Sequence, residues 1–103
     1  MPGTIESRLE DLGIALPVPQ KTRVAKILPT MIVDRLLYVS GMVPQWNGEL
    51  RFIGKVGREF SLEEGQEAAR LSTLNVLAQA GDALNGDLDR IKRVVNLKGY
   101  VNA

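Results

Sequence analysis

The sequence predicts an α+β domain in which one long helix lies on a face of a small sheet. Residues 61–84 hold a helical period from end to end. Several short runs rich in β-branched residues are punctuated by glycine, proline or Asn-Gly, and no internal repeat or domain boundary interrupts the 103 residues.

Taken in order, Thr4 can cap a short helix carrying Ile5, Leu9 and Leu12, with Glu6 near its positive end and Gly13 as its stop. Ile14 to Gln20 contains two prolines and reads as an extended connection. Arg23 to Pro29 is a strand candidate, continued by Thr30–Val33 after an irregularity at the proline. Asp34-Arg35 is a tight turn. Leu36–Ser40 is the strongest strand, and its unbroken apolar run predicts burial on both faces. Asn47-Gly48 is a two-residue turn signal in a loop that holds Trp46. Leu50–Val56 is then expected to return as a strand and pair with 36–41.

Ser61 opens the long helix as N-cap, and Glu64 stands where a capping box needs its carboxylate. Phe60 and Gly65 occupy the hydrophobic-staple positions, but glycine cannot supply the apolar contact. Leu62, Ala69, Val76, Leu77, Ala80 and Leu84 share one face, small at its centre and suited to close packing on a sheet. A second stripe, Leu71, Leu74 and Ala78, points more than about 90° away and calls for its own cover, a neighbouring helix or another subunit. After a turn at Gly86–Asp89, Ile91–Leu97 reads as a last strand.

Composition removes several kinds of chemistry. The chain has no cysteine, hence no disulfide or thiol catalysis, which fits the cytoplasm as its expected location. It has no histidine, the commonest acid–base group at neutral pH and the commonest metal ligand. No metal or cofactor is expected. Thirteen basic and twelve acidic residues give a net charge of +1, which makes no general case for nucleic acid. Two local basic groups stand out: Lys21, Arg23 and Lys26, and then Arg90, Lys92, Arg93 and Lys98. Solvated strand edges account for them more simply than an anion-binding surface. No apolar run is long enough to span a membrane, and no signal peptide is expected at the start.

Few residues invite a chemical role. Gly54-Lys55-Val56-Gly57 lacks a full phosphate-loop pattern. Glu63 and Glu64 suit the helix dipole better than paired acid–base work. Ser40-Gly41 is of more interest, because a glycine after a strand lets a ligand come close and the adjacent hydroxyl can orient it. A polar end to the strand is the alternative. With no histidine to activate Ser40, a serine triad is excluded. Asn102 could orient a backbone group or a ligand.

LLYVSGMVP at 36–44, GKVGREFSLEEGQEAARLSTLNVLAQAG at 54–81 and GDLDRIKRVVNLKGYVN at 86–102 resemble the Rid family, the YjgF-type imine and enamine deaminases of older endoribonuclease L-PSP-like description. The resemblance spans residues 12–103. It implies a chorismate mutase-like mixed sheet with two helices on one face, and a homotrimer with clefts between subunits. In that picture the second helix would cover Leu71, Leu74 and Ala78. It also implies a small carboxylate ligand: a 2-imino or enamino acid hydrolysed to the 2-oxo acid and ammonia.

By the same resemblance, Ser40, Gly41 and Asn102 are the ligand-binding residues. An arginine clamping the carboxylate and a glutamate positioning water would lie beyond residue 103, together with the second helix. Residues 1–103 are therefore expected to be a single Rid-like domain incomplete at its C-terminus, and no catalytic residue is assigned. Ile27 stands where the family has an aromatic residue, and Met42 where it has glutamine. Arg93 and Glu67 are not substitutes for the missing pair. Two functions follow: imine deamination in an intersubunit cleft, or a noncatalytic ligand-binding or regulatory trimer. Ribonuclease action is the weakest reading.

Overall fold

The computed structural model describes residues 3–20 and 28–103. The candidate strand at 23–29, the Lys21, Arg23 and Lys26 group and Ile27 lie wholly or largely outside them. The described elements are a short helix α1 (Thr4–Asp11), strands β1 (Thr30–Val33), β2 (Leu36–Val39), β3 (Gln45–Trp46) and β4 (Glu49–Leu50), a long helix α2 (Leu62–Ala83), and a 3-10 turn at Leu88–Arg90. The α+β expectation holds.

The N-cap of α1 falls one residue earlier than expected. Gly3 is the N-cap and has no side chain to offer. Instead the Asp89 carboxylate accepts from the N–H of Thr4 at 2.5 Å and of Ile5 at 2.8 Å. The helix ends as predicted, at Gly13 with φ 69°. Ile14 N–H reaches Leu9 and Gly13 N–H reaches Glu10, the paired bonds of a Schellman stop.

β1 and β2 form an antiparallel hairpin in which Met31 faces Tyr38 and Val33 faces Leu36. Asp34 takes φ 53° in the two-residue turn. β2 is not buried on both faces as expected. Leu37 and Val39 are half-buried while Leu36 and Tyr38 are exposed, because α2 covers one face alone. β4 pairs with β3 rather than with 36–41, through a turn at Asn47 (φ 50°) and Gly48 (φ 92°). The expected strand over Leu50–Val56 stops after Leu50. Phe52 has φ 56° and Gly54 φ 149°, and neither conformation continues a pleat.

Helix α2 begins with the predicted capping box. Glu64 N–H donates to Ser61 Oγ at 3.2 Å, and Ser61 N–H donates to Glu64 Oε1 at 3.1 Å. Gly65, poor for a staple, serves a different contact: a β-carbon there would stand 2.8 Å from Val56 Cγ2. At the other end Asn85 takes φ 57°, and Gly86 N–H closes on Gly81 O at 2.7 Å, a second Schellman stop.

The helix rests on β1, β2, β3 and the Leu88 turn through a face that overlaps the predicted one only in part, at Ala80 and Leu84. Asn75, Ala78, Gln79 and Ala80 are its buried residues, whereas Leu62 is exposed. The reason lies in the two amides. Asn75 Nδ2 donates to Gln45 O at 2.7 Å, and Gln79 Nε2 donates to Gln20 O at 2.7 Å, so carbonyls of the covering segments pull a polar strip of the helix inward. Of the second apolar stripe, Ala78 is buried and Leu71 and Leu74 are half-buried.

The last expected strand, Ile91–Leu97, does not form. The segment finds no partner strand among the described residues, and Val94, Val95 and Leu97 are exposed. The buried apolar core consists of Ala78, Ala80, Leu84 and Leu88 among the described residues. No described helix is long and apolar enough to cross a membrane.

Candidate functional site

Ser40 ends β2. Its N–H donates to Pro29 O at 2.9 Å, and its Oγ donates to Leu28 O at 2.6 Å. The hydroxyl proton is thereby directed back into the chain preceding β1, leaving the oxygen lone pairs as acceptors. Gly41 is exposed, and a β-carbon there would meet no atom of the described residues within 4 Å. Its backbone is outside the left-handed region. The strand end thus presents open backbone beside an anchored hydroxyl.

The chain leaving Gly41 is held from behind by α2. Asn75 Nδ2 spans Val43 O at 3.4 Å and Gln45 O at 2.7 Å, and it also bonds Leu71 O at 3.0 Å within its own helix. Residue reasoning passed over Asn75. The signal available was a pair of amides, Asn75 and Gln79, four residues apart between two apolar stripes.

Asn102 lies elsewhere. Its Nδ2 donates to Gly54 O at 3.2 Å and its carbonyl accepts from Val56 N–H at 2.9 Å. No hydrogen bond among the described residues joins it to Ser40 or Gly41. Its contacts pin the tail to the glycine-containing loop. That loop is not a phosphate cradle, since its amides already have acceptors. Lys55 N–H points at Glu59 Oε2, Val56 N–H at Asn102 O, and Gly57 N–H at Phe60 O.

Arg58 and Glu59 form a forked ion pair in the same loop, with Arg58 Nε at 2.8 and 2.7 Å from the two carboxylate oxygens and Nη2 also bonded. The hydrogen bond to Glu59 raises the Arg58 pKa, and the bond from Arg58 holds the Glu59 carboxyl below its ordinary value. A guanidinium already forked onto a neighbour is poorly placed to clamp a substrate carboxylate. Glu64 is engaged in the capping box, and Glu67 and Arg93 are exposed.

Two further features stand apart from Ser40–Gly41. An open cleft of about 350 Å³ lies between Leu16, Pro17 and Pro19 and the end of α2 at Ala78, Gly81 and Asp82. Glu6, Asp87 and Asp89 bring carboxylate oxygens within 4.8 Å of one another. Those groups accept backbone hydrogen bonds: Asp89 from Thr4 and Ile5, Glu6 from Leu88, and Asp87 from Asp89.

The family model described as "YjgF/chorismate_mutase-like, putative endoribonuclease" matches residues 6–103. The chain belongs to the YjgF/Rid family. Its α+β architecture is accordingly the chorismate mutase-like fold of that family. Protein TCP17 of Trypanosoma cruzi is 38% identical over 104 residues, covering 98% of this chain and 62% of the relative. The crystal structure of Atu1372, a protein with unknown function from Agrobacterium tumefaciens, is 45% identical with a TM-score of 0.77. That match covers 88% of this chain and 54% of that one. A crystal structure described as a "putative endoribonuclease", from Shewanella oneidensis, is 38% identical with a TM-score of 0.81 over 89% of this chain and 60% of that one. The YjgF/Rid chain described here therefore spans less than two thirds of each of these relatives.

Proposed function

We propose that residues 1–103 form a Rid-like domain that binds a small carboxylate in a cleft completed by a neighbouring subunit of a cytoplasmic homotrimer. Hydrolysis of a 2-imino or enamino acid to the 2-oxo acid and ammonia is the chemistry this reading assigns to the complete site. The observation that carries it is the Ser40–Gly41 strand end, where an anchored hydroxyl stands beside backbone with no atom of the described residues within 4 Å of the missing side chain. Exposed Met31, Ile32, Leu36 and Tyr38 on the first hairpin support the trimer, since they offer apolar area for a second copy. The arginine and glutamate of the reaction are proposed to come from chain beyond residue 103, and Asn102 to reach the cleft only once its tail is rearranged by that chain.

A noncatalytic ligand-binding trimer is the second reading. The Ser40–Gly41 strand end, which would line a small-ligand pocket under either reading, supports it equally. Endoribonuclease action, the description carried by the Shewanella structure, is the weakest here, since a net charge of +1 gives little phosphate attraction and there is no histidine. Ammonia release from freshly generated 2-iminobutyrate separates the readings. Release faster than in protein-free solution supports deamination, and no excess at saturating protein removes it.

A further inference from the structure

The Asp-Leu-Asp of residues 87–89 has no part in the proposed cleft, yet it carries the longest-range polar contacts of the chain's first helix. Helix α1 has no fully buried side chain, Ile5 and Leu9 being half-buried, and packs against the Leu88–Arg90 turn alone among the described elements. Its attachment there runs in both directions. Asp89 accepts from Thr4 and Ile5, while Glu6 Oε1 accepts from Leu88 N–H at 2.6 Å. Leu88 between them is 2% exposed, and its Cδ2 would lie 3.8 Å from a β-carbon at Gly81 of α2. Beyond Gly13, the segment to Gln20 crosses the end of α2. It is held there by buried Pro17, by Val18 N–H on Asn47 Oδ1 at 2.7 Å, and by Gln79 on Gln20 O.

We propose that α1 is a latched strap, opening as a unit from the Leu88 turn while α2 stays folded, with the Asp89–α1 and Glu6–Leu88 contacts as its latch. An element whose apolar side chains, Ile5 and Leu9, are only half-buried is weakly held once its polar contacts break, so it belongs to the low-stability end of the structure. The contacts of Pro17, Val18 and Gln20 stop the opening from running further along the chain. Opening uncovers the α1 side of Leu88. The latch is specific in geometry, because a carboxylate facing the first free amides of a helix serves as cap and charge partner together.

Amide hydrogen exchange of the full chain, in whatever assembly it forms, tests this. In the unaltered protein, the amides of Ser7 and Leu12 should exchange faster than those of residues 70–80, with little dependence on low denaturant. Asp89→Ala should accelerate the α1 amides by roughly three- to thirtyfold and leave residues 70–80 unchanged. Asp89→Asn, which keeps a capping oxygen, should fall between. If α1 and α2 amides exchange at one common rate in the unaltered protein, the strap is not separable and the proposal fails. That comparison needs no variant, so it decides the matter even if Asp89→Ala does not fold. Equal acceleration of both helices in Asp89→Ala would also overturn it.

Discussion

Asn75 Nδ2 donates to the carbonyl of Gln45 at 2.7 Å, fixing the middle of α2 to the chain that leaves the Ser40–Gly41 strand end. The same nitrogen lies 3.4 Å from Val43 O, and Asn75 is 2% exposed. A buried amide in that position ties the long helix to the wall of the proposed cleft. Asn75→Leu would keep much of the volume but leave the Gln45 carbonyl without its donor. The expected loss is about 1–3 kcal/mol of stability, read as a lower denaturant midpoint at unchanged slope. An unchanged midpoint would show that Asn75 is not a tether.

Ser61→Ala should cost about 1 kcal/mol by removing the side-chain half of the capping box. Ser61→Gly should cost only a few tenths. Thermal unfolding of the two variants checks the order, and a larger loss for glycine would point to a role for Ser61 other than capping.

Gly65 sets helix propensity against packing. Alanine in a helix interior is favoured over glycine by about 0.8–1.0 kcal/mol, but its β-carbon would come within 2.8 Å of Val56 Cγ2, with Cγ1 at 3.4 Å. The crowding falls on both methyls of a stiff, branched side chain, so Gly65→Ala should be net destabilising. Adding Val56→Ala should recover part of the loss. Additive losses in the double variant would contradict the contact.

Asp89 carries a pH dependence of definite sign. Its carboxyl is held below the ordinary range, chiefly by the Ile5 N–H and next by the Thr4 N–H. Lys92 contributes attraction, while Glu6 and Asp87 are the neighbouring carboxylates. A depressed pKa means that the latch contributes its full stability above the unfolded aspartate value of about 3.9 and loses it as pH falls through the folded value. The Thr4 and Ile5 amide resonances should therefore titrate with a midpoint below about 3.9. A midpoint above that value would mean the carboxylate is not their acceptor in solution.

The signals that were legible in the sequence are local ones. Ser61 and Glu64 lie three residues apart, and Asn47-Gly48 dictates its own turn, so each could be read without knowing the rest of the chain. Gly13 ended α1 as expected for the same reason. What failed depends on distant partners. Nothing near Thr4 in sequence reveals that Asp89 caps it, and no periodicity shows that Asn75 and Gln79 meet the carbonyls of Gln45 and Gln20. The buried face of α2 is only partly the predicted one: Ala80 and Leu84 are buried, but so are Asn75 and Gln79, whose amides meet distant carbonyls. Residues 91–97 have strand composition, but a strand forms only against a partner. At the candidate site, Ser40-Gly41 was legible as the end of a strand, while the Leu28 carbonyl that anchors the hydroxyl was not.

The central claim is that ligand approaches over Gly41. Gly41→Val is well suited to test it, because the added side chain meets none of the described residues and the backbone there has no left-handed strain. Calorimetric titration of 2-oxobutyrate, the product carboxylate, into the assembled protein should show binding that weakens at least about tenfold in the variant. That factor corresponds to about 1.4 kcal/mol, and the assembly state in sedimentation should be unchanged. Equal affinity for the two proteins would place the ligand elsewhere and contradict the account.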